Sequence, residues 1–148
     1  MKQLILGGAR SGKSAHAQQL AEQSGDEVIY LATATAGDTE MAARIQQHQA
    51  QRPEHWRLIE EPVALAQVLQ QQAKEGVCIL VDCLTLWLSN LLAAGDDTML
   101  QQRAALLDVL PRLPGRIIFV SNEIGMGVVP MGELTRRFVL LRLHPGFQ

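Results

Sequence analysis

An octapeptide near the start of the chain, Gly7-Gly8-Ala9-Arg10-Ser11-Gly12-Lys13-Ser14, restricts the possible folds more than any other stretch. It follows the apolar run Lys2 to Leu6, which reads as a strand, and precedes Lys13 to Gln23, whose pattern suits a helix. Between a strand and a helix, the glycines let the backbone curl so that successive N–H groups face inward. The N-terminus of the following helix adds partial positive charge. The pattern G-x-x-x-x-G-K-S/T in this setting reads as a cradle for a polyphosphate. Lys13 is expected to reach the β- and γ-phosphates, and Ser14 to offer its hydroxyl to Mg2+.

The rest of the chain repeats the strand-then-helix rhythm. Val28 to Ala32, Val77 to Val81 and Ile117 to Val120 are apolar runs of the length and continuity expected of parallel strands buried on both faces. Helical patterns lie between them at Thr39 to Gln51, Val63 to Lys74 and Leu84 to Ala93, the second of these opened by Pro62 and the last ended near Gly95. A further helix is expected from the spacing of Leu100, Ala104, Leu107 and Leu110. The class is α/β, and 148 residues make one domain spanning 1–148.

A cradle of this kind calls for an acidic residue at the end of another buried strand, where it holds the metal or its water. Val77-Cys78-Ile79-Leu80-Val81-Asp82 supplies Asp82. The competing reading makes Asp82 a cap for the helix that begins near Leu84. Asn122 and Glu123 follow the strand Ile117 to Val120, at the carboxyl end where open α/β sheets bind ligands, and Gly125-Met126-Gly127 reads as a loop over the substrate.

Composition narrows the partners. Thirteen Lys and Arg against fifteen Asp and Glu give a net charge of −2, which lacks the basic surface a nucleic-acid binder needs. Asp82 interrupts the longest apolar stretch and Met1 leads directly into a strand, so membrane insertion is not expected and a cytoplasmic location is. Cys78 and Cys83, the two cysteines, read as small buried hydrophobes and not as a zinc or disulfide framework.

Three further segments carry a resemblance. Glu40 to His48 reads EMAARIQQH, followed by Arg52-Pro53 and Trp56; Val81 to Leu92 reads VDCLTLWLSNLL; Val120 to Pro130 reads VSNEIGMGVVP. With the octapeptide at 7–14, in this order and spacing, the chain resembles the bifunctional adenosylcobinamide kinase / adenosylcobinamide-phosphate guanylyltransferase family over about residues 1–138. The resemblance implies a P-loop NTPase fold of the RecA-like kind, a mostly parallel sheet flanked by helices. It also implies phosphorylation of adenosylcobinamide with ATP or GTP, then transfer of GMP from GTP to adenosylcobinamide phosphate with release of pyrophosphate.

In that family the guanylyl group rides on a histidine, which the R-I-x-x-H pattern places at His48. Position alone would make His48 a solvated histidine on an amphipathic helix; the resemblance makes it the nucleophile. An imidazole with an ordinary pKa near 6.5 is mostly neutral at cytosolic pH, as that role requires. His55 beside Trp56 reads as loop structure, and His16 carries no signal. The resemblance also carries nucleotide contacts onto Ala32, Thr33, Ala34, Gln49, Ala50, Gln51, Arg52, Glu60 and Asp82, and implies a homotrimer. Beyond Phe138 the family continues through a polar helix and a last strand, whereas Val139 to Gln148 departs from it. The expectation is a shortened end lacking that helix and strand, with lowered stability and GTP binding retained more readily than turnover. Two other readings of the chain are a P-loop kinase without guanylyl transfer and an inactive GTP-binding module.

Overall fold

In the computed structural model, the residues described are 2–7, 13–34, 53 and 55–122. Five strands, β1 (Lys2–Gly7), β2 (Glu27–Ala32), β3 (Arg57–Glu60), β4 (Val77–Asp82) and β5 (Arg116–Asn122), form one sheet in the order β1-β5-β4-β2-β3. Every pairing is parallel. Parallel neighbours need crossovers, and the described helices are α1 (Lys13–Gln23), α2 (Leu65–Gln72), α3 (Leu84–Ala94) and α4 (Asp96–Val109), with a 3-10 turn at Leu110–Arg112.

The four strands expected from apolar runs are all present, the first three longer by one residue each and β5 longer by three. β2 and β4 are buried on both sides along most of their length. β3 was not expected. Its sequence, Arg57-Leu58-Ile59-Glu60, is short, carries a charge at each end, and sits at the sheet edge with Leu58 39% exposed, so no continuous apolar run marks it. The helix expected over Thr39 to Gln51 lies outside the described residues.

Alternation along each strand divides the core between two faces. On one face Val28, Tyr30, Ala32, Cys78, Leu80, Ile118 and Val120 pack against Ala17 and Ala21 of α1. On the other, Ile29, Leu31, Ile79, Val81, Ile117 and Phe119 pack against Leu65 and Leu69 of α2, Leu84, Trp87, Leu88 and Leu91 of α3, and Leu106 and Val109 of α4. Small alanines on α1 let that helix lie close over the sheet, whereas the opposite face takes the bulk of the leucines. Each such fully buried leucine contributes about 1.5–3 kcal/mol.

Local chemistry sets the helix ends. α2 begins at Leu65, three residues after Pro62, where the Glu61 carboxylate accepts from the N–H groups of Val63 and Ala64, both at 3.1 Å. Gly95, at φ +117°, ends α3 by donating to the carbonyls of Leu91 and Leu92 at 3.1 and 3.3 Å, and α4 starts at the next residue. The face of α4 differs from the expected stripe. Met99, Leu106, Val109 and Leu110 are buried, whereas Leu100 is 60% exposed and Ala104 is exposed as well. Met99 at the start of the helix competes for the same turn and wins the core position. Of the cysteines, Cys78 is fully buried, but Cys83 is only half-buried, because it stands at the sheet end just before α3.

Candidate functional site

The carboxyl ends of the strands gather the described candidates. Register places Ile5, Val120, Asp82, Ala32 and Glu60 in one row across the sheet, with Gly7 paired to Asn122 two residues further on. At roughly 4.8 Å between strands, Asp82 stands about 10 Å from both β1 and β3. Gly7 is the last residue of β1, and Lys13 and Ser14 open α1. Gly8, Ala9, Arg10, Ser11 and Gly12 lie outside the described residues, as do His48, Gln49, Ala50, Gln51, Arg52 and Glu123. The loop at 125–127 and the departing end at 139–148 lie outside them too.

Asp82 occupies the last position of β4 and is half-buried. It shares a row with Ala32, which belongs to the α1 face, so pleating turns its side chain toward that face. One of its oxygens, Oδ2, accepts from the Tyr30 hydroxyl. The capping alternative is not what the structure adopts: α3 starts after Cys83 without any side-chain cap, and the Asp82 carboxylate turns to Tyr30. The Asp82–Cys83 peptide is cis.

Ala32, Thr33 and Ala34 run off the end of β2. The Ala32 carbonyl accepts from Glu61 N–H at 2.9 Å, and Thr33 N–H donates to the Asp82 carbonyl at 3.2 Å. Thr33 is fully buried. Its hydroxyl donates to the Cys83 carbonyl at 2.8 Å and accepts from Cys83 N–H at 3.0 Å. The Thr33 carbonyl accepts from Asn90 Nδ2 at 2.9 Å, and the same Nδ2 donates to the Pro62 carbonyl at 3.0 Å. Trp87 Nε1 donates to the Val63 carbonyl at 2.8 Å. Through these bonds α3 fixes the loops that leave β2 and β3. Thr85 and Ser121, whose hydroxyls lie 3.3 Å apart, tie α3 to the end of β5 in the same way.

Glu60 closes β3 and is exposed, on the row of Ala32 and Asp82. Trp56 is buried and its Nε1 donates to Glu22 on α1 at 2.9 Å, while exposed His55 stands 3.8 Å from the same carboxylate oxygen. The loop role expected of His55 is therefore, together with Trp56, an anchorage onto α1, and His16 is an exposed residue of that helix. Tyr30, Asn90 and Glu61 were not singled out from the sequence. Tyr30's partner stands 52 residues away, Asn90's 57 and 28, and Glu61's two to three, and only the last separation leaves a local signal, an acidic residue ahead of a helix.

The donor chemistry fits Mg2+. A single carboxylate at a strand end, with phosphate oxygens and water completing the shell, suits a hard cation that keeps most of its waters. Among the described residues no group of three or more His, Cys, Asp or Glu forms a dedicated metal cage. No described helix is long and apolar enough to cross a membrane.

A strand, β5, separates the phosphate-loop strand β1 from the strand that carries Asp82, and this order with parallel pairing defines a P-loop NTPase domain of the RecA-like kind. Solved structures agree on the fold. An ATPase of the type III secretion system of pathogenic bacteria superposes with a TM-score of 0.60 at 16% identity, over 91% of this chain and 48% of that one, so the chain spans about half its length. The RadB recombinase gives a TM-score of 0.53 at 18% identity, over 92% of this chain and 70% of its own.

The chain belongs to the cobinamide kinase / cobinamide phosphate guanyltransferase family, whose model matches residues 3–142. That match runs past Phe138 into the segment 139–148. The bifunctional adenosylcobalamin biosynthesis protein CobP of Pseudomonas aeruginosa PAO1 is 61% identical over 140 residues, covering 94% of this chain and 81% of the relative. The bifunctional adenosylcobalamin biosynthesis proteins CobU of Escherichia coli K12 and Salmonella typhimurium LT2 are 38% and 39% identical, each over 91% of this chain and 82% of the relative.

Proposed function

We propose that the chain catalyses two consecutive steps of cobalamin biosynthesis. In the first, the hydroxyl of the aminopropanol arm of adenosylcobinamide attacks the γ-phosphorus of ATP or GTP. A P–O bond forms to the substrate, the bond to the nucleoside diphosphate breaks, and the hydroxyl proton passes to solvent or a base. In the second, a neutral nitrogen of His48 attacks the α-phosphorus of GTP and pyrophosphate leaves. A phosphate oxygen of adenosylcobinamide phosphate then displaces the imidazole, giving adenosylcobinamide-GDP and restoring His48.

The observation that carries the reading is the convergence of Gly7, the start of α1, Asp82, Ala32 and Glu60 on one end of one sheet, in a chain of this family. The roles follow from chemistry. Backbone N–H groups of Gly7 to Ser14 cradle the phosphates, and Lys13 adds positive charge where the leaving group becomes more negative. Ser14 and Asp82 would hold Mg2+, which supplies neutralisation of the phosphate oxygens when bound. Arg52 clamps phosphate, while Ala32, Thr33, Ala34, Gln49, Ala50, Gln51 and Glu60 border the nucleotide. Every polar atom of Thr33 is already engaged with Asp82, Cys83 or Asn90, so the contribution supported for it is to shape the wall of the site.

The enzyme is proposed to act in the cytoplasm as a homotrimer. Incubating it with adenosylcobinamide, Mg2+ and GTP labelled at either the α- or the γ-phosphorus tests the reading. Both labels are expected in adenosylcobinamide-GDP, with unlabelled pyrophosphate from the α-labelled reaction. Incorporation of the γ-label alone would reduce the activity to that of a kinase.

A further inference from the structure

Tyr30 lies near the middle of β2 and is 4% exposed, among Val28, Leu80, Ile118 and Val120 of the sheet and Ala17 and Ala21 of α1. A phenol in such surroundings fills space as phenylalanine would, but its hydroxyl also needs a partner. Register sets Tyr30 opposite Leu80 and Ala32 opposite Asp82, so Tyr30 and Asp82 are diagonal neighbours on one face. The hydroxyl donates to Asp82 Oδ2.

We infer that Tyr30 is a positioning residue for the Asp82 carboxylate, holding its plane so that the remaining oxygen is presented to a divalent cation carried by the nucleotide. The inference rests on the reading of Asp82 as the metal carboxylate and adds a residue to it. A carboxylate at a strand end swings about two side-chain bonds, and a charge-assisted hydrogen bond to one oxygen removes that freedom before the metal arrives. The tyrosine ring is itself clamped between the sheet and α1, the helix that continues from the phosphate loop. The hydroxyl thereby links the cradle's own helix to the acid two strands away. No phosphate or substrate contact is needed for this role: Tyr30 acts through Asp82.

Tyr30 is the single tyrosine of the chain, so uniform 3-fluorotyrosine labelling yields one 19F resonance from the otherwise unaltered full-length protein. That resonance is expected to shift when Mg2+ and GTP are added together, and to stay near its free position with GTP and EDTA. In Asp82→Asn the Mg2+-dependent part of the shift should vanish.

Calorimetry supplies the second arm. In wild type Mg2+ should tighten GTP binding, and in Tyr30→Phe that enhancement should fall by about tenfold, as expected for loss of a hydrogen bond to a charged group. GTP affinity in EDTA should change little, and the nucleotide-free protein should stay folded, with its melting temperature lowered modestly by the lost hydrogen bond. In the Asp82→Asn background Tyr30→Phe should have no further effect on the enhancement.

An unchanged enhancement in Tyr30→Phe, an equal loss in both backgrounds, or a 19F shift that ignores Mg2+ would each overturn the role of Tyr30 while leaving Asp82 as a metal ligand. An Asp82→Asn protein with undiminished Mg2+ enhancement would remove the reading of Asp82 itself, and Tyr30 with it.

Discussion

Thr33 and Cys83 are joined twice: the Thr33 hydroxyl donates to the Cys83 carbonyl at 2.8 Å and accepts from the Cys83 N–H at 3.0 Å. The two residues are 50 apart in sequence, and the pair closes the gap between the ends of β2 and β4 where their backbone pairing stops. Thr33→Val keeps the shape and removes both bonds, leaving two backbone groups of Cys83 without that partner. Chemical denaturation should show a loss of about 2 kcal/mol for Thr33→Val and clearly less for Thr33→Ser, which keeps the hydroxyl.

Asn90 does a related job from α3, its amide donating to the carbonyls of Thr33 and Pro62. Asn90→Leu should cost about 1–2 kcal/mol through the two lost bonds. Asn90→Asp should cost more, because it faces two carbonyls with a negative charge and no donor, and acidification toward pH 4 should recover part of the loss as the carboxyl protonates. Thermal melts of the two variants at pH 7 and pH 4 separate the effects.

Much of this architecture could be read from the residues alone, and what escaped did so for physical reasons. β2 and β4 are covered on both faces, so their burial writes an unbroken apolar run, whereas β3 at the edge needs only Ile59 partly buried and leaves no such run. On α4, Met99 and Leu100 are adjacent and both fit a helical stripe. The fold places Met99 inside, among the leucines of α2 and α3 that α4 packs against, and leaves Leu100 60% exposed. The phosphate loop announces itself because its chemistry is contiguous. Tyr30 with Asp82, and Thr33 with Cys83 and Asn90, are brought together only by strand register, which a single sequence does not state.

Cys78 provides a check on the core that is independent of the nucleotide site. Burial pushes its thiol up to about 11 from an ordinary 9.0, with Arg116 opposing. The folded thiol stays neutral while an unfolded one ionises from about pH 9, so above that pH the unfolded chain binds fewer protons and stability falls as pH rises to about 11. The loss should total about 2 kcal/mol across that window. Lys2 acts in the opposite sense: burial lowers its pKa, against the pull of Glu75. Comparing the pH dependence of unfolding in wild type and Cys78→Ala cancels the lysine, and the variant should lack the cysteine's share of the decline.

In the proposed guanylyl transfer, a triphosphate held by the loop at 7–14 is attacked at its α-phosphorus by His48. Incubation with α-labelled GTP and Mg2+ measures this most directly. The predicted result is a covalent label that is stable to alkali and lost in acid, as a phosphoramidate is, that maps to His48 and that disappears in His48→Ala and falls sharply in Lys13→Ala. An unlabelled wild-type protein, or a label that persists in His48→Ala, would contradict it.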